Sequence, residues 1–181
     1  MAQRHDTKDP RRARSRALKI LFQADVRGES PETALKRLVD DPQGRAMLDD
    51  LDDLSDAEVV AQQAEVDAAA DTTARPAVAA PGLDGFTRQL VLGVSDHRDE
   101  VDALIGRFAR RWSVGRMPVV DRNVLRLATY EMLHEHTSPA VVINEALELA
   151  KALSTDASSR YVNGVLESVR KSIEERDRPG A

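Results

Sequence analysis

Arg11, Arg12, Arg14, Arg16 and Lys19 put five cations into nine residues with no acid between them. Like charges at helical spacing repel, so such a run is best accommodated where a polyanion neutralises it. The chemistry within reach is phosphate binding. An aromatic ring beside cations adds the other half of a single-stranded nucleic-acid site, because a base stacks on the ring while the cations hold the backbone. Phe22 lies one turn beyond the arginines, and Tyr161 directly follows the basic Arg160; with aromatics at only 3% of the chain, few can be spared for a surface. The residues alone leave alternatives open. The cationic run can be the solvated face of an amphipathic helix, Phe22 can be core, and the Tyr161 hydroxyl can be a buried, satisfied donor.

No catalytic constellation is visible. Cys is absent, which removes thiol nucleophiles, disulfides and Cys-based zinc sites. His134 and His136 stand near Glu131 and Glu135, but i, i+2 spacing on a helix points two imidazoles apart, and there is no H-E-x-x-H. A solvated helix end, where His suits the dipole, accounts for them. Ser158 and Ser159 beside Asp156 have no His close in sequence and read as caps. Neither G-x-x-x-x-G-K-[ST] nor G-x-G-x-x-G occurs, so nucleotide chemistry is not expected. The reading is no enzyme, no cofactor and no metal.

The elements that must position the cations and rings are helices. In the stretch from Val141 to Val169, Ile143, Ala146, Leu147, Ala150 and Leu153 form one apolar stripe, and Val162, Val165, Leu166, Val169 and Ile173 form another. Ser154, Thr155 and Asp156 compete with the backbone for hydrogen bonds and make the turn between them. Gly164 interrupts the second stripe at a cost of about 1 kcal/mol relative to Ala, which points to a need for a small residue or a close approach there. Upstream, Ala13, Ala17, Ile20, Leu21 and Ala24 face away from the arginines. Gly28 ends that helix, and Ser30 with Pro31 opens the next. Further stripes run through Phe86, Leu90 and Val94; through Val101, Leu104, Ile105 and Phe108, with Ser95 or Asp96 as the cap and Trp112 as a core anchor; and through Val120, Val124, Leu127 and Ala128. The pattern predicts seven helices, no strand and an all-α bundle.

Composition sets the limits around these helices. At 181 residues, 41% hydrophobic and 31% charged, the chain has the makeup of one globular domain with no run long enough to span a membrane. The start is polar and basic rather than signal-like, so a cytoplasmic location is expected. Charge is unevenly spread. Met1 to Arg27 holds eight Lys or Arg against three Asp, a balance of +5, whereas Asp40 to Asp71 holds one Arg against eleven acids, a balance of −10. The chain therefore divides into a flexible arm (1–10), N-terminal helices with a basic first helix (11–40), an acidic, Ala-rich flexible insertion (41–82), the remaining helices (83–175) and a tail (176–181).

Four segments together resemble the NusB family of transcription antitermination proteins: R-R-A-R-S-R-A-L-K-I-L-F-Q-A (Arg11 to Ala24), M-P-V-V-D-R-N-V-L-R-L-A-T-Y-E-M-L (Met117 to Leu133), V-I-N-E-A-L-E-L-A-K-A-L-S (Val142 to Ser154) and Y-V-N-G-V-L (Tyr161 to Leu166). The resemblance implies an all-α fold of two small packed helical bundles and no enzyme activity. It implies binding of boxA RNA in ribosomal RNA transcripts, jointly with NusE, a small-subunit ribosomal protein, within an RNA polymerase antitermination complex. Carried over by position, the RNA residues are Arg11, Arg12, Arg14, Phe22, Arg160 and Tyr161; Arg16 and Lys19 join them as members of the same cationic run. The partner surface falls on the helices from Pro118 to Leu133 and Val142 to Leu153, with Asp121, Glu131, Asn144 and Glu145 as candidates. One departure stands out: the family's acid before the aromatic aligns with Ala157, although Asp156 is adjacent. The resemblance does not extend to the acidic insertion.

Other functions stay open at this level. The chain can be a helical protein-binding scaffold, or an RNA-binding module without an antitermination role. Service in an RNA methyltransferase would need an α/β domain beyond residue 181. A homodimer that hides the arginine face is compatible with the sequence.

Overall fold

Asp9 starts the first helix by accepting a hydrogen bond from the Arg11 amide at 3.0 Å, and Pro10 follows with φ already in the helical range. The computed structural model describes residues 9–41, 83–110 and 112–176. The arm before residue 9, nearly all of the acidic insertion and the tail after Arg176 lie outside these residues. Helix α1 (Pro10–Arg27) ends at Gly28, whose φ of 66° is the left-handed conformation that favours glycine. Helix α2 (Pro31–Asp40) is capped by Ser30, whose Oγ accepts from the Thr33 amide at 3.2 Å. Helix α3 (Gly85–Asp96) is capped by Asp84, which accepts from the Thr87 amide at 2.8 Å.

The remaining elements are α4 (Arg98–Phe108), a 3-10 turn (Val114–Arg116), α5 (Val119–His134), α6 (Pro139–Leu153) and α7 (Asp156–Arg176). Seven α-helices and no strand among the described residues match the expected class. The expected cap of α4 does not hold. Helix α3 runs through Ser95 and Asp96, and His97 precedes α4 without a side-chain cap bond.

Helix α5 is the shared axis of two small bundles. It packs on α1 and α3 on the N-terminal side, where α2 joins them, and on α4, α6 and α7 on the C-terminal side. From Asn123 to Met132 every residue is buried, as a helix covered by neighbours all round must be. One continuous apolar cluster runs through both bundles and contains most of the predicted stripes of α1, α5 and α7, with Val120 and Ile173 packed against it. Burying a Leu, Ile or Val of this kind contributes about 1.5–3 kcal/mol each.

One core expectation is overturned, and one of two alternatives is ruled out. Trp112 is 50% exposed rather than an anchor, because α4 stops at Phe108 and the indole falls in the connection that follows. Gly164 sits on the open face of α7, where a Cβ would meet nothing within 4 Å. The close approach is instead at Gly93 of α3, where a Cβ would lie inside the ring of Tyr130.

Candidate nucleic-acid interface

The inward stripe of Ala13, Ala17, Ile20 and Ala24 leaves Arg11 and Arg12 exposed on the first turn of α1. Arg11 Nη2 stands 3.9 Å from Glu148 Oε2 of α6, a loose pair that leaves the guanidinium in water. Arg16 is half-buried, with Nη1 3.3 Å from Asp84 Oδ2, so part of its charge is committed to the cap of α3. Lys19 and Phe22 are half-buried on the following turns.

Arg14 departs from the expected arginine face. Its position next to Ala13 and one turn before Ala17 and Leu18 turns it inward, against α5. There Nε donates to the two Glu131 carboxylate oxygens at 2.9 and 3.2 Å, Nη2 donates to Oε1, and the guanidinium lies 5.7 Å from the centre of the Phe86 ring. The hydrogen bond to Glu131 holds the Arg14 pKa above its ordinary value, and outweighs the opposing effect of burial. Neither Arg14 nor Glu131 is presented to RNA or to a partner.

Asp121, another partner candidate, is also internal. It is buried in the first turn of α5 and accepts from Ser154 Oγ at 2.8 Å, which ties the α6–α7 turn to α5. Asn144 and Glu145 do reach the surface of α6. Val141, 48% exposed, lies one turn before them on the same side of the helix, and Glu148 follows one turn after.

Arg160 is exposed, and Tyr161 is half-buried with its ring packed on the core. Both line an open groove of about 480 Å³ between the end of α4 and the first turns of α7, with Phe108, Arg110, Ala157, Gly164 and Val165 as the other walls. Two guanidinium groups beside an aromatic ring can hold phosphates while a base stacks. The small Ala157 and Gly164 keep the groove open. Arg110 and Phe108 were not foreseen, although two consecutive arginines before Trp112 were the available signal. Helix α1 packs on α2, α3 and α5, and α7 packs on α4, α5 and α6. The two groups of RNA candidates therefore belong to different bundles.

Nothing in the local sequence pattern signals the ion network between these bundles. Asp25 of α1 accepts from Arg122 Nε at 3.0 Å, Asn123 Nδ2 at 3.0 Å and Arg126 Nη1 at 3.1 Å, while Arg126 makes a second, forked pair with Asp102 of α4 at 2.7 and 2.8 Å. Such a network fixes how α1, α4 and α5 meet, because each buried cation needs its carboxylate in place.

A family model described as the NusB family matches residues 11–171. The chain belongs to the NusB family. It is similar to the transcription antitermination protein NusB of Symbiobacterium thermophilum, with 39% identity over 160 residues, 88% of this chain and 87% of the relative. The protein of the same name from Solibacter usitatus is 40% identical over 171 residues, 94% of each chain. Among solved structures, T. maritima NusB superposes with a TM-score of 0.62 at 31% identity, covering 92% of this chain and 93% of that one. A structure of antitermination factors NusB and NusE in complex with dsRNA superposes with a TM-score of 0.59 at 23% identity, over 90% and 96% of the two chains, and supports the fold. Family membership thus agrees with the all-α, two-bundle architecture. Among the described residues, no helix is long and apolar enough to cross a membrane.

Proposed function

We propose that this chain is a transcription antitermination factor that binds boxA RNA jointly with a NusE-type ribosomal protein, as part of an RNA polymerase antitermination complex in the cytoplasm. It works by binding and carries out no reaction. The observation that carries this reading is the groove at Tyr161, where Arg110 and Arg160 stand beside an aromatic ring in a space large enough for a base. That is the combination single-stranded RNA requires. Relatives at about 40% identity over most of the chain bear the antitermination name, and a NusB of the same fold has been crystallised with NusE and RNA.

Arg11 and Arg12 offer a second group of cations on the other bundle, with Lys19, Arg16 and Phe22 on later turns of the same helix. The partner surface in this reading is the exposed side of α6 around Val141, Asn144 and Glu145. Since Arg11 approaches Glu148 on that helix, RNA at the start of α1 and a protein on α6 would be neighbours. Joint binding follows naturally from such adjacency.

The test is a fluorescence-anisotropy titration with a short single-stranded boxA-like RNA, with and without NusE. Binding tightened by NusE, and weakened by Tyr161→Ala by the equivalent of about 1–3 kcal/mol for a missing stack, is the expected result. Partner binding retained with no RNA binding at moderate salt would favour the protein-scaffold reading instead.

A further inference from the structure

Glu100 Oε2 lies 3.1 Å from His134 Nε2 and 3.4 Å from His97 Nδ1, so imidazoles from two separate helix ends converge on one carboxylate oxygen. The three ligand atoms all lie within 4.8 Å of one another. A tetrahedral zinc ion with bonds of about 2.0–2.2 Å has edges between ligand atoms of roughly 3.3–3.6 Å. Two edges of the triangle are already near that length. We propose that His97, Glu100 and His134 form a divalent transition-metal site, with the remaining coordination position open to water.

The donor set selects the class of metal. Two imidazole nitrogens and a carboxylate suit zinc, cobalt, nickel or copper, whereas magnesium and calcium prefer oxygen alone. In this structure the two rings are stacked, with centroids 3.9 Å apart and planes tilted by 28°. A shared ion must lie in the plane of each ring, so binding requires the stack to splay. Rotation about the broad terminal torsion of partly exposed histidines accommodates this.

The surroundings hold the ligands without competing for them. His97 joins α3 to α4 and makes no side-chain cap bond, so its ring nitrogen is not committed to a helix end. Glu100 is in the first turn of α4, and His134 is the last residue of α5. His134 rests on the Tyr130 ring, with centroids 5.2 Å apart. That ring is set against Gly93, the Tyr130 hydroxyl donates to Glu135 Oε1 at 3.0 Å, and Gln89 Nε2 donates to both oxygens of Glu135 at 2.8 and 2.9 Å. A backing of this kind limits where the ligand can move. Asp96 and Asp99 flank the site in sequence, while Arg98 is drawn toward Asp25 and Asp102, at 3.8 and 4.0 Å.

The ion would clip the α3–α4 junction to the end of α5. Because the three ligands come together only in the folded chain, metal should raise thermal stability by mass action. The ligands are invisible as a motif, since His134 pairs with His97 from the distant α3–α4 junction and not with His136 two residues away.

The experiment uses the full-length protein without a histidine tag, titrated with Co²⁺ and with Zn²⁺. Expected are one equivalent of Co²⁺ with visible ligand-field absorption, displaced by Zn²⁺, and a melting temperature that rises with Zn²⁺ concentration. His97→Gln, His134→Gln and Glu100→Gln should each weaken binding at least about tenfold while circular dichroism stays helical, and His136→Gln should not. Alanine variants at the same positions provide a second set should any glutamine variant fail to fold. Absence of both the Co²⁺ spectrum and the Zn²⁺ shift in the unmodified protein would overturn the site. So would wild-type affinity in the His97 and His134 variants.

Discussion

Arg14 of α1 and Glu131 of α5 meet in a pair whose side chains are only 7% and 1% exposed, so neither charge has water as an alternative partner. Breaking such a pair strands the surviving charge, which costs about 3–5 kcal/mol, whereas replacing both partners with apolar groups of similar volume is often neutral. Arg14→Ala and Glu131→Gln should each lower the unfolding free energy measured by urea titration by an amount in the range of that penalty or somewhat below it. Arg14→Met combined with Glu131→Leu should recover most of the loss. If the single changes cost less than about 1 kcal/mol, the pair does not join the helices as described.

Arg11 and Arg12 should behave oppositely. Both are exposed, so the double change Arg11→Ala, Arg12→Ala should alter stability by no more than about 0.5 kcal/mol per site. RNA affinity should fall, and the plot of log affinity against log salt should flatten by about 0.7 for each phosphate that the variant no longer neutralises. A slope identical to that of the unmodified protein would remove the start of α1 from the interface.

Gly93 and Gly164 separate steric need from groove shape. A methyl at Gly93 enters the space of the Tyr130 ring, and Tyr130 is held by Glu135, so Gly93→Ala should cost about 1–3 kcal/mol through overpacking. At Gly164 the methyl meets open space, and Gly164→Ala should be neutral or stabilising by up to about 1 kcal/mol. It also narrows the groove beside Tyr161. Thermal melts of the two variants should therefore move in different directions, and RNA binding should weaken only for the more stable one.

The helical stripes were legible in the sequence because apolar periodicity is a local property, read within one or two turns. Gly28, Ser30 and Pro31 were legible for the same reason, each acting on its own backbone. Arg14 was misread because polar residues on a stripe look solvated until their partner is known, and Glu131 lies on another helix. Asp121 was misjudged in the same way, since Ser154, its donor, is in the turn after α6. Tyr161 and Arg160 stand out in the sequence by type and do line the groove, but Arg110 and Phe108 join them there only through the packing of α4 on α7. Gly164 illustrates the limit of propensity arguments: a helix-breaking residue signals a need for small size, but not whether the need is contact or empty space.

Asp84 allows a pH test of how α1 is held to α3. Burial pushes its carboxyl pKa up, but hydrogen bonds from the Thr87 hydroxyl and amide, together with Arg16, outweigh that effect and leave the pKa below its ordinary value. The Thr87 hydroxyl donates to Oδ2 at 2.6 Å, and Arg16 Nη1 shares that oxygen at 3.3 Å. A carboxyl with a depressed folded-state pKa stabilises the fold above its unfolded value of about 3.9, and that contribution is lost as pH falls through the folded value. Asp84→Asn keeps a capping oxygen but removes the charge, whereas Asp84→Ala removes the cap as well, at a cost of about 1 kcal/mol. Urea midpoints should therefore place both variants below the unmodified protein at neutral pH, with Asp84→Ala lower. The gap between Asp84→Asn and the unmodified protein should be flat above about pH 5 and close progressively below about pH 4. A gap that stays constant down to about pH 2 would mean that the ionised carboxylate contributes nothing, leaving the Thr87 hydroxyl, 3.3 Å from the Ala13 carbonyl oxygen, to join α1 and α3 at this corner.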